Sequence, residues 1–360
     1  MPAGDALPPA TALRSGSPPA LRQAAPRPAA EVLAWSRSLV DPALREAVDD
    51  MPGSMRDIAA FHFGWLDEGG RPAEGSGGKA IRPALTLLTA EAVGGTAAAA
   101  LPAAVAVELA HNFSLLHDDV MDGDVTRRHR PTAWSVFGIN AAILAGDALL
   151  AAAFETLANG RAPAAGVRVL SRAILELVEG QSADISFEDR SDVSLTECLT
   201  MASRKTAALL GGACALGAVH GGGDADQIAH FREFGERLGL AFQLVDDLLG
   251  IWGDPAVTGK PVHSDLRNHK KSLPVVAALT SRTPAGDELA ALYLRDTPLT
   301  GDEPARAAAL IDAAGGRSWA TTQADDLLTE ALTELDAAAP TPTAATELQA
   351  LANLVTRRSS

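Results

Sequence analysis

The sequence predicts an all-α protein of about ten helices, and three observations carry that reading. Apolar residues make up 47% of the chain but aromatics only 4%, so a core must be mostly Ala, Leu and Val, and Ala and Leu lead the helix scale. Long segments repeat apolar residues at helical spacing, and none alternates with period two over a useful length. Clusters of Gly, Pro and Asp divide the segments, as helix ends require. The length of 360 residues suits one large domain or two ordinary ones.

Taken in order, residues 1–30 carry seven prolines and no aromatic. Such a stretch cannot bury enough surface to offset its chain entropy, so it reads as a disordered tail ahead of a helical domain over 31–360. "EVLAWSRSLV" and "DPALREAVDDM" read as two short helices, the second with Asp41 as N-cap and Pro42 in its first turn. A Gly-rich stretch follows at 69–83. Apolar-periodic segments then run over 84–94, 101–121, 139–158, 163–188, 195–219, 225–250, 270–280, 303–314 and 318–338.

The bulk numbers exclude several classes. A net charge of −15 argues against nucleic acid, which favours a basic face. Cys198 and Cys214 fall in no metal or redox spacing, so a reducing cytoplasm is the expected location. The N-terminus lacks the layout of a signal peptide, and no uninterrupted apolar run is long enough to span a bilayer.

The chemistry concentrates in "HNFSLLHDDVMDGDVTRRHRPT", 111–132. Asp118 and Asp122 are four apart, one turn above each other on a helix face. Two carboxylates so placed repel unless a cation bridges them or water screens them. The apolar "FSLLH" before them sets them at the mouth of a cavity. Arg127 and Arg128 follow at once, and forked guanidinium groups suit phosphate oxygens. Acids with arginines point to Mg²⁺ and polyphosphate held together, because Mg²⁺ takes one or two carboxylates plus substrate phosphates. The pattern recurs where Asp246 and Asp247 end the apolar run "LAFQLVDD" and Lys260, Lys270 and Lys271 follow. Three weaker elements accompany it. In "GSGGKAIRP", Lys79 and Arg82 are three apart beside a Gly loop, a pattern that suits anions but also fits a solvated turn. In "SRKTA", Lys205 and Thr206 sit within an Ala/Leu-rich helix, where a buried Lys would need a counter-anion and an exposed turn would not. In "GQSADIS", Gln181 and Asp184 are polar on an apolar helix, as a structural hydrogen bond also allows.

In that order, "GGKAIRP", "HNFSLLHDDVMD" with "RR", "GQSADIS", "KT" and "FQLVDD" with "GDPAVTGKP" resemble the trans-isoprenyl diphosphate synthases of the polyprenyl synthetase family. The resemblance covers roughly residues 50–340. It implies a helical bundle around a deep central cavity, usually a homodimer, and Mg²⁺-dependent head-to-tail condensation of isopentenyl diphosphate with an allylic diphosphate. It implies Mg²⁺ on Asp118, Asp122 and Asp246, with Asp119 and Asp247 in support. Arg127, Lys205 and Lys260 would grip the allylic diphosphate, with Lys270 nearby. Lys79, Arg82, His111 and Arg128 would hold isopentenyl diphosphate. Thr206 and Gln243, with Lys205, would face the allylic carbocation.

One departure stands out. Relatives usually carry a third acid in the second motif, and this chain has Gly250 there. An acid placed at 250 is expected to be tolerated and to lower the Mg²⁺ requirement. Phe113, five positions before Asp118, with small Ser114 next to it, resembles the arrangement of geranylgeranyl diphosphate (C20) synthases, with farnesyl diphosphate (C15) as the alternative product. A terpene cyclase and a non-catalytic synthase subunit are further alternatives, disfavoured by "FQLVDDLLG" with the Lys79/Arg82 pair and by the intact first motif respectively. The tail resembles, in composition only, extensions that carry some such synthases into an encapsulin-type protein shell. Deleting residues 1–30 is therefore expected to leave catalysis intact.

Overall fold

The computed structural model describes residues 25–73, 78–188, 190–254, 262–295 and 297–357. Within them the chain is all-α apart from one short hairpin and an isolated bridge. Helices α1 (Ala29–Asp49), α2 (Gly53–His62), α3 (Ile81–Ala92) and α4 (Ala97–Met121) come first. Two-residue strands β1 (Thr126–Arg127) and β2 (Arg130–Pro131) pair antiparallel. Then follow α5 (Ala133–Phe137), α6 (Ile139–Ala158), α7 (Pro163–Glu188), α8 (Leu195–Ala202), a π-helical segment (Ser203–Ala207), α9 (Ala208–Gly221) and α10 (Ala225–Trp252). A C-terminal group completes the fold: α11 (Ser264–Arg267), α12 (Leu273–Leu279), α13 (Pro284–Tyr293), α14 (Glu303–Ala313), α15 (Gly316–Ala337) and α16 (Pro342–Thr356).

Helices α4 and α9 form the centre, with α4 against α3, α6 and α9, and α9 against α3, α7 and α10. The run "ALLGGACALGAVH" in α9 is apolar or small all round and nearly all buried, as a helix enclosed by neighbours must be. Both α4 and α6 are long and apolar enough to cross a membrane by length and composition, contrary to expectation. For α4 that apolarity is explained by burial in the core. Much of α6 is exposed.

The two short helices expected at the start are one. Helix α1 runs unbroken through Pro42, which therefore does not open a second helix. Pro42 removes one backbone donor. Val32, Ser36, Val40, Leu44 and Val48 continue one buried stripe across it, and that stripe outweighs a single lost hydrogen bond. Helix α16 was not expected. Its buried face, Leu348, Leu351, Ala352 and Val355, is interrupted by the buried acid Glu347, which blurs the apolar pattern.

Glu347 also moves the start of the ordered domain. Helix α1 begins inside the expected tail, and Arg27, ahead of it, is fixed. The Arg27 backbone N–H and Nε each donate to Glu347 Oε1 at 2.8 Å, and Nη2 donates to Oε2 at 2.6 Å. The guanidinium lies 3.8 Å from the centroid of the Trp35 ring and also reaches Glu91. Residues 1–24 of the tail lie outside the described residues. Glu347 is only 1% exposed, so loss of Arg27 leaves a buried carboxylate without its charge partner. We expect Arg27→Ala to lower unfolding free energy by about 2–4 kcal/mol in urea titration. A truncation after Ala30 should show the same loss of stability, so residues 25–30 belong with the helical domain even where catalysis is intact. One that starts at Ala25 keeps the clasp.

Candidate active site

The last turn of α4 carries Asp118 and Asp119, and Asp122 closes the helix, its N–H donating to Asp118 O at 2.8 Å. Asp246 and Asp247 stand near the end of α10. These helix ends meet at a cavity of about 480 Å³. Its wall brings together Lys79, Arg82, His111, Ser114, Asp118, Arg127, Arg128, Lys205, Thr206, Gln243 and Asp246, residues scattered across 168 positions of sequence (246 − 79 + 1). Burial pushes the Asp118 carboxyl up to about 6, with Asp122 and Asp119 adding to the rise and Lys205 and Arg127 opposing it. Burial also raises Asp122. Asp118 is thus crowded and poorly solvated, a place that favours a bound cation, while Asp122 is exposed and is not among the residues that line the cavity.

Asp119 takes the supporting place expected of it. It is buried, turned from the main cavity, and its Oδ1 accepts from Arg127 Nε at 2.7 Å. Arg127 ends β1, and the turn residues Arg128 and His129 both adopt positive φ, 51° and 61°. Two left-handed residues suit a tight two-residue hairpin, but for side chains with a Cβ they carry strain, which collects at functional sites. The hairpin aims Arg127 and Arg128 at the cavity together.

Lys205 and Thr206 lie on the π-helical segment, where one extra residue per turn re-aims side chains. Lys205 Nζ contacts Asp184 Oδ2 at 2.5 Å, which supplies the counter-anion left open by the sequence. Thr206 Oγ1 donates to Gln243 Oε1 at 2.7 Å, and Gln243 Nε2 donates to Asp247 Oδ1 at 2.8 Å. The chain of bonds fixes which way the Gln243 amide points. Both polar atoms of the buried Gln181 side chain lack a partner, so a structural hydrogen bond does not account for it among the described residues. One residue before it, Gly180 lets α7 touch the π segment: a Cβ there would lie 2.3 Å from the backbone N of Lys205.

Asp247 is buried behind Asp246. Its Oδ2 accepts from the Leu273 N–H at 3.0 Å, and Lys270 Nζ is 4.0 Å from its Oδ1. Burial pushes Asp247 up to about 6, against Lys270 and these hydrogen bonds. Burial would lower Lys270, but Asp247 and Asp265 hold it above its ordinary value. Lys260 belongs to the stretch 255–261, outside the described residues, as does 74–77 of the Gly loop. A Cβ on Gly250 would lie 2.3 Å from Asp265 Oδ2, so an acid at 250 requires the end of the Asp265 side chain to move aside.

Several site residues escaped the sequence reading. Glu108, one turn before His111, lines the cavity beside Arg82, and its carboxyl is raised by burial. His62, hydrogen-bonded to Asn112, is lowered to about 3 by burial and by Arg127 and Arg128, and His111 is lowered for like reasons. Both imidazoles are therefore neutral at pH 7. Burial lowers Arg82 to about 10, with Glu108 opposing, so it stays charged. Leu115, Leu177 and Phe242 form apolar wall. Phe113 is not among the lining residues. It packs in the core, its ring edge-on to His117 with ring centroids 4.8 Å apart.

Opposed acids, a cationic flank and an apolar wall inside an all-α bundle define a diphosphate-handling transferase. Residues 65–309 match the polyprenyl synthetase family model, so the chain belongs to the polyprenyl synthetase family. It is a prenyltransferase of the head-to-tail condensing kind. The chain is similar to the (2E,6E)-farnesyl diphosphate synthase of Mycobacterium tuberculosis, with 46% identity over 332 residues, 91% of this chain and 92% of that one. It is equally similar, at 46% over 330 residues, to the geranylgeranyl diphosphate synthase of the same species, covering 91% and 93%. The crystal structure of a polyprenyl synthetase from Streptomyces coelicolor matches with a TM-score of 0.88 and 47% identity, over 91% of this chain and 99% of that one.

The close approach at Gly180 yields a test. In Gly180→Ala the added methyl must push the π segment away and carry Lys205 and Thr206 with it. We expect turnover to fall by about 10²-fold while the circular dichroism of the helices is retained. Near-normal turnover in a folded variant would show that the register of this contact does not matter.

Proposed function

We propose that the chain makes geranylgeranyl diphosphate (C20) by adding isopentenyl diphosphate to a shorter allylic diphosphate with Mg²⁺ bound. The observation that carries this is the cavity itself, with acids of α4 and α10 at one end, two sets of cations on its flank and Leu115, Leu177 and Phe242 beyond. Ser114 is small at the place where a bulky side chain would close the cavity early. Farnesyl diphosphate (C15) is the second reading, because relatives of both kinds are equally similar.

The residues fit Mg²⁺. Among the described residues no three acidic, His or Cys side chains converge to hold a metal by themselves. That suits an ion that takes one or two carboxylates and completes its shell with phosphate oxygens and water. Asp118 and Asp122 would hold Mg²⁺ on one side of the cavity, and Asp246 would hold a separate Mg²⁺ on the other. Its chemistry there is charge neutralisation on the departing diphosphate. Arg127, and Lys205 once turned from Asp184, bind the allylic diphosphate with Lys270 nearby, and the reading adds Lys260, which lies outside the described residues. Lys79, Arg82 and Arg128 bind isopentenyl diphosphate, and neutral His111 donates one N–H. As the allylic C–O bond breaks, Thr206 Oγ1 and Gln243 Oε1 offer oxygen dipoles to the cation, and the apolar wall keeps water from it. The isopentenyl double bond attacks, and the departing diphosphate accepts the proton that is then lost.

The assay is isopentenyl diphosphate with allylic primers and Mg²⁺, followed by dephosphorylation and chromatography. We expect C20 alcohol to dominate; C15 alone would favour the second reading. Phe113 is next to Ser114 in sequence, so Phe113→Ala should open space beside it and lengthen the products. An unchanged length distribution from an active, folded variant removes Phe113 as the ruler.

The reading includes a homodimer. Ile139 and Leu144 on α6 and Leu175 on the adjoining α7 are 51%, 54% and 67% exposed. Apolar surface of this extent calls for a cover, and a second copy of the chain supplies it. Sedimentation should give twice the chain mass, falling to one chain in Leu144→Glu/Leu175→Glu. A wild-type monomer would remove this part of the reading.

A further inference from the structure

We propose that His117 positions the acidic end of α4 by donating to the backbone of α6, and that Gly146 is the gap in α6 that receives its ring. The inference rests on reading the cavity as a Mg²⁺–diphosphate site. It starts from the residue immediately before Asp118, which is not part of the cavity wall. The His117 imidazole meets α6 instead, where its Nε2 lies 3.0 Å from Ile143 O. A carbonyl oxygen only accepts, so Nε2 carries the hydrogen. The Asp147 carboxylate is 3.8 Å from the same nitrogen, too far for a hydrogen bond, so the carbonyl is the partner.

The ring fits because α6 has no side chain at this point. Gly146 is buried, and a Cβ on it would lie 2.4 Å from His117 Nε2 and 2.5 Å from Cδ2. A side chain at 146 therefore requires the ring, and its Nε2, to move. Phe113, one turn back on α4, meets the ring edge-on with centroids 4.8 Å apart. The placement matters because successive helix side chains point about 100° apart. His117, Asp118 and Asp119 thus face three ways: His117 to α6, Asp118 to the cavity, and Asp119 to Arg127, whose Nε donates to it at 2.7 Å. The last turn of α4 is tied on both sides of Asp118. A rotation that carries Asp118 away from the cavity has to break one tie or the other. Helix ends fray, and α4 ends four residues after His117, at Met121. His117 is thus a positioning residue, acting through the turn that carries Asp118.

The test separates the donor from the bulk of the ring. Wild type, His117→Leu, His117→Gln and Gly146→Ala are compared by calorimetric titration with inorganic diphosphate at fixed Mg²⁺, and with isopentenyl diphosphate in EDTA. Melting temperatures in EDTA are recorded alongside. Leucine fills the place but cannot donate, so we expect diphosphate affinity with Mg²⁺ to drop about 10–100-fold, the usual cost of losing a supporting group at a metal site. The titration in EDTA reads the cations alone and should stay at the wild-type value. Glutamine offers an N–H at the same reach and should recover most of the loss. Gly146→Ala should lose affinity as leucine does, because it moves the ring from the other side of the joint. A folded leucine variant with wild-type affinity, a glutamine variant no better than leucine, or an equal fall in both titrations overturns the proposal. Where the leucine variant does not fold, wild-type affinity in Gly146→Ala overturns it. If wild type itself fails to bind diphosphate with Mg²⁺, the reading of the whole site fails instead, and the two failures are separable.

Discussion

Like charges gathered at the end of apolar helices have to be answered by opposite charge, and this requirement organises the site. In the described structure three cations are each set on an acid: Arg127 on Asp119, Lys205 on Asp184 and Lys270 between Asp247 and Asp265. Each pair offsets part of the desolvation that burial imposes. Yet Asp118 at the cavity, and Asp122 one turn on, keep raised carboxyls, so the internal pairing is incomplete on that side. On the proposed reading, incoming diphosphate would bring the anion for which the cations exchange their acids, and Mg²⁺ would bring the charge that the acids still need. The ligands would then complete an electrostatic pattern that the fold leaves half closed.

Backbone choices make that pattern possible. The π segment, the left-handed pair Arg128–His129 and the left-handed residue Ala80 all depart from regular geometry next to site side chains. Each is held by regular neighbours. Gly180 lets α7 press on the π segment, and Ala80 turns the chain from Lys79 into α3. Regular helices supply the rigidity, and the irregular points supply the aim.

The sequence disclosed what depends on near neighbours. Helix periodicity placed α6 and α7 to the residue and α4 and α10 within a few residues. The four-residue spacing of Asp118 and Asp122 was visible because both stand on one helix. What escaped depends on which helices face each other. The Lys205–Asp184 pair spans 21 positions, and the closeness of Gly250 to Asp265 exists only once α11 lies against α10. Glu108 escaped because an acid beside arginines looks like any helix pair until its burial is known. Helix α1 was divided at Pro42 because local propensity was given more weight than the buried stripe that runs through it.

The Arg27–Glu347 clasp joins residues 320 positions apart. Ring closure over such a distance costs much chain entropy and comes late in folding. As the chain leaves the ribosome, Arg27 and Trp35 are made first, and the carboxylate that caps them comes near the end. Until α16 arrives, Glu91 on α3 is the one acid of this cluster already made for Arg27 to meet. A chain that stops short of α16 thus has its catalytic helices but lacks the contact that joins α1 to α16, and the stability that this contact contributes comes only with the finished chain.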